Sequence, residues 1–161
     1  MKNDIPKKQS GGFTIIEVMI VLAVAGLIML IVFLAVPALQ RNSRNTQMRS
    51  DAASVLAGVN EFITNNNGSL PASVSANSTT GEVTITGAAG TSQASAKVRG
   101  GTTVGFSTSI ASPPAGPPNI VVYTNTTCNQ NTPVSTAGRA FVAVFNIESG
   151  NNNSVPQCVQ S

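Results

Sequence analysis

The sequence predicts an α+β chain. A long N-terminal α-helix, transmembrane in its first half and amphipathic in its second, packs on a small antiparallel β-sheet domain. Three observations predict this. A single apolar run fills residues 13–36. Apolar residues then recur at helical spacing from Met48 to Ile63. Beyond residue 64 the composition turns to Asn, Ser, Thr, Gly and Ala, and the late segments "NIVVYT" and "AFVAVFNI" read as strands. The chain thus divides into a basic leader (1–12), a hydrophobic helix (13–36), its amphipathic continuation (37–66) and an exported, β-rich head (67–161).

The leader carries Lys2, Lys7 and Lys8 against Asp4, a local charge of +2 out of the chain's +3. The rest holds six Lys or Arg against five Asp or Glu. That near-neutral balance predicts no broad phosphate-contacting face and no specific nucleic-acid partner.

The apolar run has 24 residues, with Glu17 its only charge. As a helix it is about 36 Å long, enough for a hydrocarbon core of about 30 Å. The preceding lysines predict a cytoplasmic N-terminus, with everything after the run outside. Three readings compete. A secretory signal would be cut after Ala25, at Ala23-Val24-Ala25, yet the run continues eleven residues beyond that point. A plain single-pass anchor explains the length but neither Glu17 nor the glycines before it. The third reading must explain both.

A carboxylate at the centre of a membrane helix costs roughly 2.5–3.5 kcal/mol, and less near an end. No Lys, Arg or His lies within the run, and the next cation, Arg41, is about 36 Å along the helix. A partner must come from another molecule or from a new positive charge. Cleavage between Gly12 and Phe13 would create one, an α-ammonium on Phe13, and would remove the lysines. Glu17 lies one helical turn away, and pairing within a subunit or between neighbours would satisfy it.

"GGFTIIEVMIVLAVAGLI" resembles the N-terminal signature of type IV pilins and their relatives, the pseudopilins. The resemblance covers residues 7–40. It implies a pilin-like fold. It also implies a prepilin peptidase that cuts after Gly12 and methylates Phe13, and a Glu17 that neutralises a neighbour's N-terminal amine during assembly. By the same resemblance the chain is a structural subunit of a type IV pilus. It would be held in the cytoplasmic membrane as a precursor and then polymerised with itself and other pilins into a surface filament. Adhesion, twitching motility and DNA uptake are the functions such filaments serve. A membrane platform protein and an assembly ATPase are the implied machinery. The alternative is a pseudopilin of a type II secretion or competence system. Many relatives bend the helix with a proline where this chain has Leu34. Gly26 and Pro37 are the candidate bend positions here.

The amphipathic half follows a period near 3.6 through Met48, Ala52, Val55, Leu56, Val59, Phe62 and Ile63. Arg41, Arg44, Arg49, Asp51 and Glu61 take the other positions. Asn65-Asn66-Asn67-Gly68 reads as the stop, giving a helix of roughly 80 Å from Phe13. "GEVTITG" and "TTVGFSTSI" read as further strands within a variable connection. "SPPAGPPN" reads as a rigid loop rather than a polyproline ligand. Three or four antiparallel strands would close over the helix stripe, with "AFVAVFNI" buried on both faces.

Cys128 and Cys158 bracket that strand. In an exported chain the pair is most simply a disulfide. It would resemble the C-terminal loop of many type IV pilins and add about 3–4 kcal/mol in the chain-entropy model. A two-Cys metal site lacks other soft ligands. Four Asn-X-Ser/Thr triplets, starting at Asn67, Asn77, Asn125 and Asn152, are what such a composition produces by chance. Histidine is absent, which removes triads and imidazole ligands. An enzyme would need a Ser-Lys or carboxylate-pair site, and Lys97 is the only lysine beyond the leader. No phosphate-binding loop and no acidic calcium loop is present, so no enzyme activity, cofactor or metal is predicted.

Overall fold

The computed structural model describes residues 11–110, 119–150 and 153–161. The chain forms two compact units, 1–40 and 41–161. Helix α1 (Ile15–Asn65) opens the described chain and contributes to both. In the first unit, every described residue from Gly11 to Gln40 is exposed. The helix runs on through Gly26 and Pro37. By length and composition its apolar part is enough to cross a membrane.

The second unit holds the rest of α1 and nine strands among the described residues. β1 (Ser73–Ala76), β2 (Glu82–Thr86) and β3 (Ala94–Lys97) make one antiparallel sheet in the order β1-β2-β3. β4 (Thr103–Ser107), β5 (Asn119–Thr124), β8 (Phe141–Glu148) and β9 (Ser154–Gln160) make a second, in that order. β6 (Thr126–Asn129) and β7 (Thr132–Ser135) form a separate hairpin. The small antiparallel sheet domain against a long helix is therefore present, with more strands than its sequence announces. One pairing departs from expectation, since β4 and β5 run parallel, Val104 opposite Ile120. Residues 108–118 separate the two strands, so no tight turn forces them antiparallel. The proline-rich stretch, apart from Asn119, lies outside the described residues.

The helical stripe is the core. Met48, Ala52, Val55, Leu56, Val59 and Phe62 are buried, and Ile63 packs beside them half-buried. They meet the inward residues of both sheets, among them Val74, Val83, Ile85, Ile120, Val122, Phe141 and Phe145. Burial of each such side chain contributes about 1.5–3 kcal/mol. β8 lies between β5 and β9 and is buried from Phe141 to Asn146. Its other face, Val142 and Val144, packs with Tyr123 and is flanked by half-buried Val121, Cys128 and Cys158. The Cys128–Cys158 disulfide joins β6 to β9 beside this second cluster.

The helix ends where the asparagines begin. Asn67 takes a left-handed φ of 52°, and the Gly68 amide donates to the Ile63 carbonyl at 2.8 Å, which closes the last turn. Within the helix, Gly58 permits the close approach of the first sheet. A β-carbon there would lie 2.8 Å from Ile85 Cδ1 and 2.9 Å from Ala96 Cβ. Gly58→Val is therefore expected to destabilise the head by about 1–3 kcal/mol through overpacking. Thermal unfolding in detergent, followed by the near-ultraviolet signal of Tyr123, the chain's single tyrosine in the absence of tryptophan, checks this.

Candidate functional site

Gly11, Gly12 and Phe13 precede the helix in non-helical backbone, and Phe13 is 88 % exposed. The Gly12–Phe13 bond is thus open to an enzyme without any unwinding of α1. Thr14 follows as the N-cap. Its backbone amide and its hydroxyl each donate to Glu17 Oε2, both at 2.8 Å, and the Glu17 amide donates back to Thr14 Oγ1 at 3.4 Å. This is a capping box, Thr-x-x-Glu, which satisfies amides that the first helical turn leaves open.

Thr14 thus supplies Glu17 with two neutral donors from within the first helical turn. The signal was in the sequence, since Thr and Glu three residues apart before an apolar run mark a helix start. Both donors go to Oε2, and Oε1 has no hydrogen bond among the described residues. Cleavage after Gly12 would leave the Thr14 amide and hydroxyl intact, so cap and charge pair are compatible. Around Glu17 the surface is apolar, with Phe13, Val18, Ile20 and Val21 bordering the same shallow concavity.

Of the other predicted positions, Gly26 has open space about it, and Pro37 sits inside the helix. The cysteines lie in the head as a disulfide, so they are not metal ligands. Among the described residues no group of three or more His, Cys, Asp or Glu converges on a metal position. Of the triplet asparagines, Asn67 and Asn125 take positive φ, and Asn77 accepts from the Thr79 and Thr80 amides through Oδ1. Asn152 lies outside the described residues.

The head contains a polar cluster that sequence reasoning missed. Arg44 grips Glu148 with both ends of its guanidinium, Nε to Oε1 at 2.7 Å and Nη2 to Oε2 at 2.6 Å. The next side chain, Asn45, donates to the Glu148 carbonyl at 2.9 Å and accepts from its amide at 2.8 Å. Together they pin the end of β8 to α1. Asn66 repeats the device on Ser92, accepting from its amide and donating to its carbonyl. Asp51 is not on the solvent face; it is 3 % exposed. Its carboxylate accepts from Gln47 Nε2, the Arg99 amide and Thr102 Oγ1, which holds the link between β3 and β4. Its place three residues after Met48 and four before Val55 put it on the stripe. A cavity of about 140 Å³ lies among these groups.

The hydrogen bonds from Arg44 hold the Glu148 carboxyl below the usual carboxylate range, with the charge of Arg44 and then Arg41 adding to the effect against partial burial. The sign follows. A depressed carboxyl contributes stability above its unfolded pKa, about 4.3, and loses it as pH falls through the lower folded value. Acidification through and below that range is expected to lower the melting temperature of the wild type more steeply than that of Glu148→Gln. Melting curves of the two proteins across pH check this.

One comparison bears on the N-terminus. The family model described as the prokaryotic N-terminal methylation motif matches residues 7–33, which include Gly12, Phe13 and Glu17. Neither the curated proteins nor the solved structures give a match to this chain.

Proposed function

We propose, on the premise that this methylation motif assigns the chain to the pilin and pseudopilin family, that it is the structural subunit of a type IV surface filament. The observation that carries the reading is the junction at residues 12–17. An exposed Gly12–Phe13 bond stands directly before a capped helix whose apolar part is exposed throughout. Such a surface needs lipid or other helices around it. The membrane supplies the first environment and a helical bundle of copies the second.

Processing after Gly12 has a physical purpose on this reading. Lys2, Lys7 and Lys8 hold the precursor's N-terminus in the cytoplasm. Drawing each lysine through the hydrocarbon would cost about 2.5–3.5 kcal/mol at mid-depth. A prepilin peptidase removes them and leaves one α-ammonium, which methylation retains as a cation. Glu17 Oε1 then receives that ammonium, from its own subunit or a neighbour, while Oε2 keeps the cap. The platform protein and the assembly ATPase supply the work of extraction. The head, closed by Cys128–Cys158, faces water.

Shearing of intact cells tests the reading. The chain is expected in the sheared surface filaments, and its deletion is expected to remove them. A chain confined to the membrane fraction, whose deletion blocks secretion or DNA uptake while surface filaments persist, would instead favour the pseudopilin.

A further inference from the structure

We infer that the exposed face of α1 in the 41–161 unit docks a second copy of this chain, staggered so that Arg49 of one copy meets Glu61 of the next. The inference rests on the subunit reading above and adds the surface and the register.

The charges on this part of α1 are few and mostly committed. Arg44 is held by Glu148, and Asp51 is buried in three hydrogen bonds. Arg41 is half-buried and acts electrostatically on Glu148. Arg49 and Glu61 remain, both exposed and without a hydrogen bond or ion pair among the described residues. They stand 12 residues apart, which is about 18 Å along the helix and about 120° around it. Ser50, Ala53 and Ala57, exposed and short, lie between them. The two charges therefore border one smooth face from opposite flanks.

Copies anchored by the same N-terminal helix run parallel. With parallel faces opposed, the Arg49 flank of one copy meets the Glu61 flank of the other, but without a stagger the two charges lie about 18 Å apart along the axis. A shift of about 18 Å brings them level as an Arg49–Glu61 pair. Because the two residues lie on different flanks, the contact is heterologous. Each copy offers Glu61 to one neighbour and Arg49 to the other, and such a contact repeats into an open helical array.

The test uses the full chain in its own cells, with R49E, E61R and the R49E/E61R double variant. Sheared filament yield is measured beside the processed membrane pool and its Cys128–Cys158 oxidation. Each single reversal should lower yield at least about fivefold, and the double should return to within about twofold of wild type. Single variants at wild-type yield, or a double no better than either single with the membrane pool intact, would overturn the register. A second readout is cross-linking. R49C/E61C filaments should give a ladder of linked copies on oxidation, and filaments without linked copies would also overturn it. The unmutated control separates the two levels, because wild-type filaments that lack this chain would overturn the subunit reading and the register with it.

Discussion

Replacement of Gly12 by leucine is expected to leave the full-length precursor in the membrane, with no mature form detectable. A β-carbon at Gly12 would meet nothing within 4 Å among the described residues. The residue is exposed and precedes the helix, so no core, turn or cap changes. A block therefore reports on the enzyme that must seat this residue beside the scissile bond. Lys2, Lys7 and Lys8 would persist, and the uncut chain would be barred from extraction by the cost of moving them through lipid. Immunoblotting of the membrane fraction beside wild type shows the outcome directly. Normal mature protein from Gly12→Leu would remove the proposed cleavage site.

Glu17→Ala is expected to be inserted and processed normally, yet to give at least about a hundredfold less filament, since an ammonium left without its partner between packed helices costs about 3–5 kcal/mol. The capping box makes a sharper control available. Glu17 has two tasks, the cap through Oε2 and, on this account, the ammonium through Oε1. Loss of the cap alone costs about 0.5–2 kcal/mol and frays the first turn. Glutamine at position 17 keeps the cap, because glutamine serves in capping boxes as glutamate does, but carries no charge. Glu17→Gln should therefore assemble as poorly as Glu17→Ala. Wild-type filament yield from the glutamine variant would assign the role to the cap and not to the charge pair. The membrane pool of processed chain, measured in the same cells, shows that the defect lies after processing.

Legibility in the sequence followed the strength of each physical signal. The helix was legible because a 24-residue, mostly apolar run and a 3.6-residue stripe leave few alternatives. Its end was legible in the asparagines. Its start lies at Ile15, behind the Thr14 cap and two residues beyond Phe13. β5 and β8 were legible as apolar alternation. β1 and β3 are four-residue strands of Ser, Ala and a single Val or Lys, held by pairing with β2 rather than by their own preference. Pro133 in β7 and Pro156 in β9 each lie in a strand at the border of its sheet, where a missing amide donor is tolerated. The direction of β4 against β5 was not legible, since periodicity identifies strands and not their partners.

The polar fasteners were illegible for another reason. Asn45 and Asn66 look like surface asparagines until their targets, Glu148 and Ser92, are brought to them from 103 and 26 residues away. Asp51 was set with the charges off the stripe, yet its spacing from Met48 and Val55 carries it onto the buried side, where a carboxylate requires donors.

The central claim is that this chain is cut after Gly12, methylated on Phe13 and built into a filament. Mass spectrometry of the N-terminus from sheared surface filaments tests it most directly. The account predicts a chain that begins at Phe13 and bears one methyl group on its amine. A filament chain that begins at Met1, or at Gly26 after cleavage behind Ala25, would contradict it.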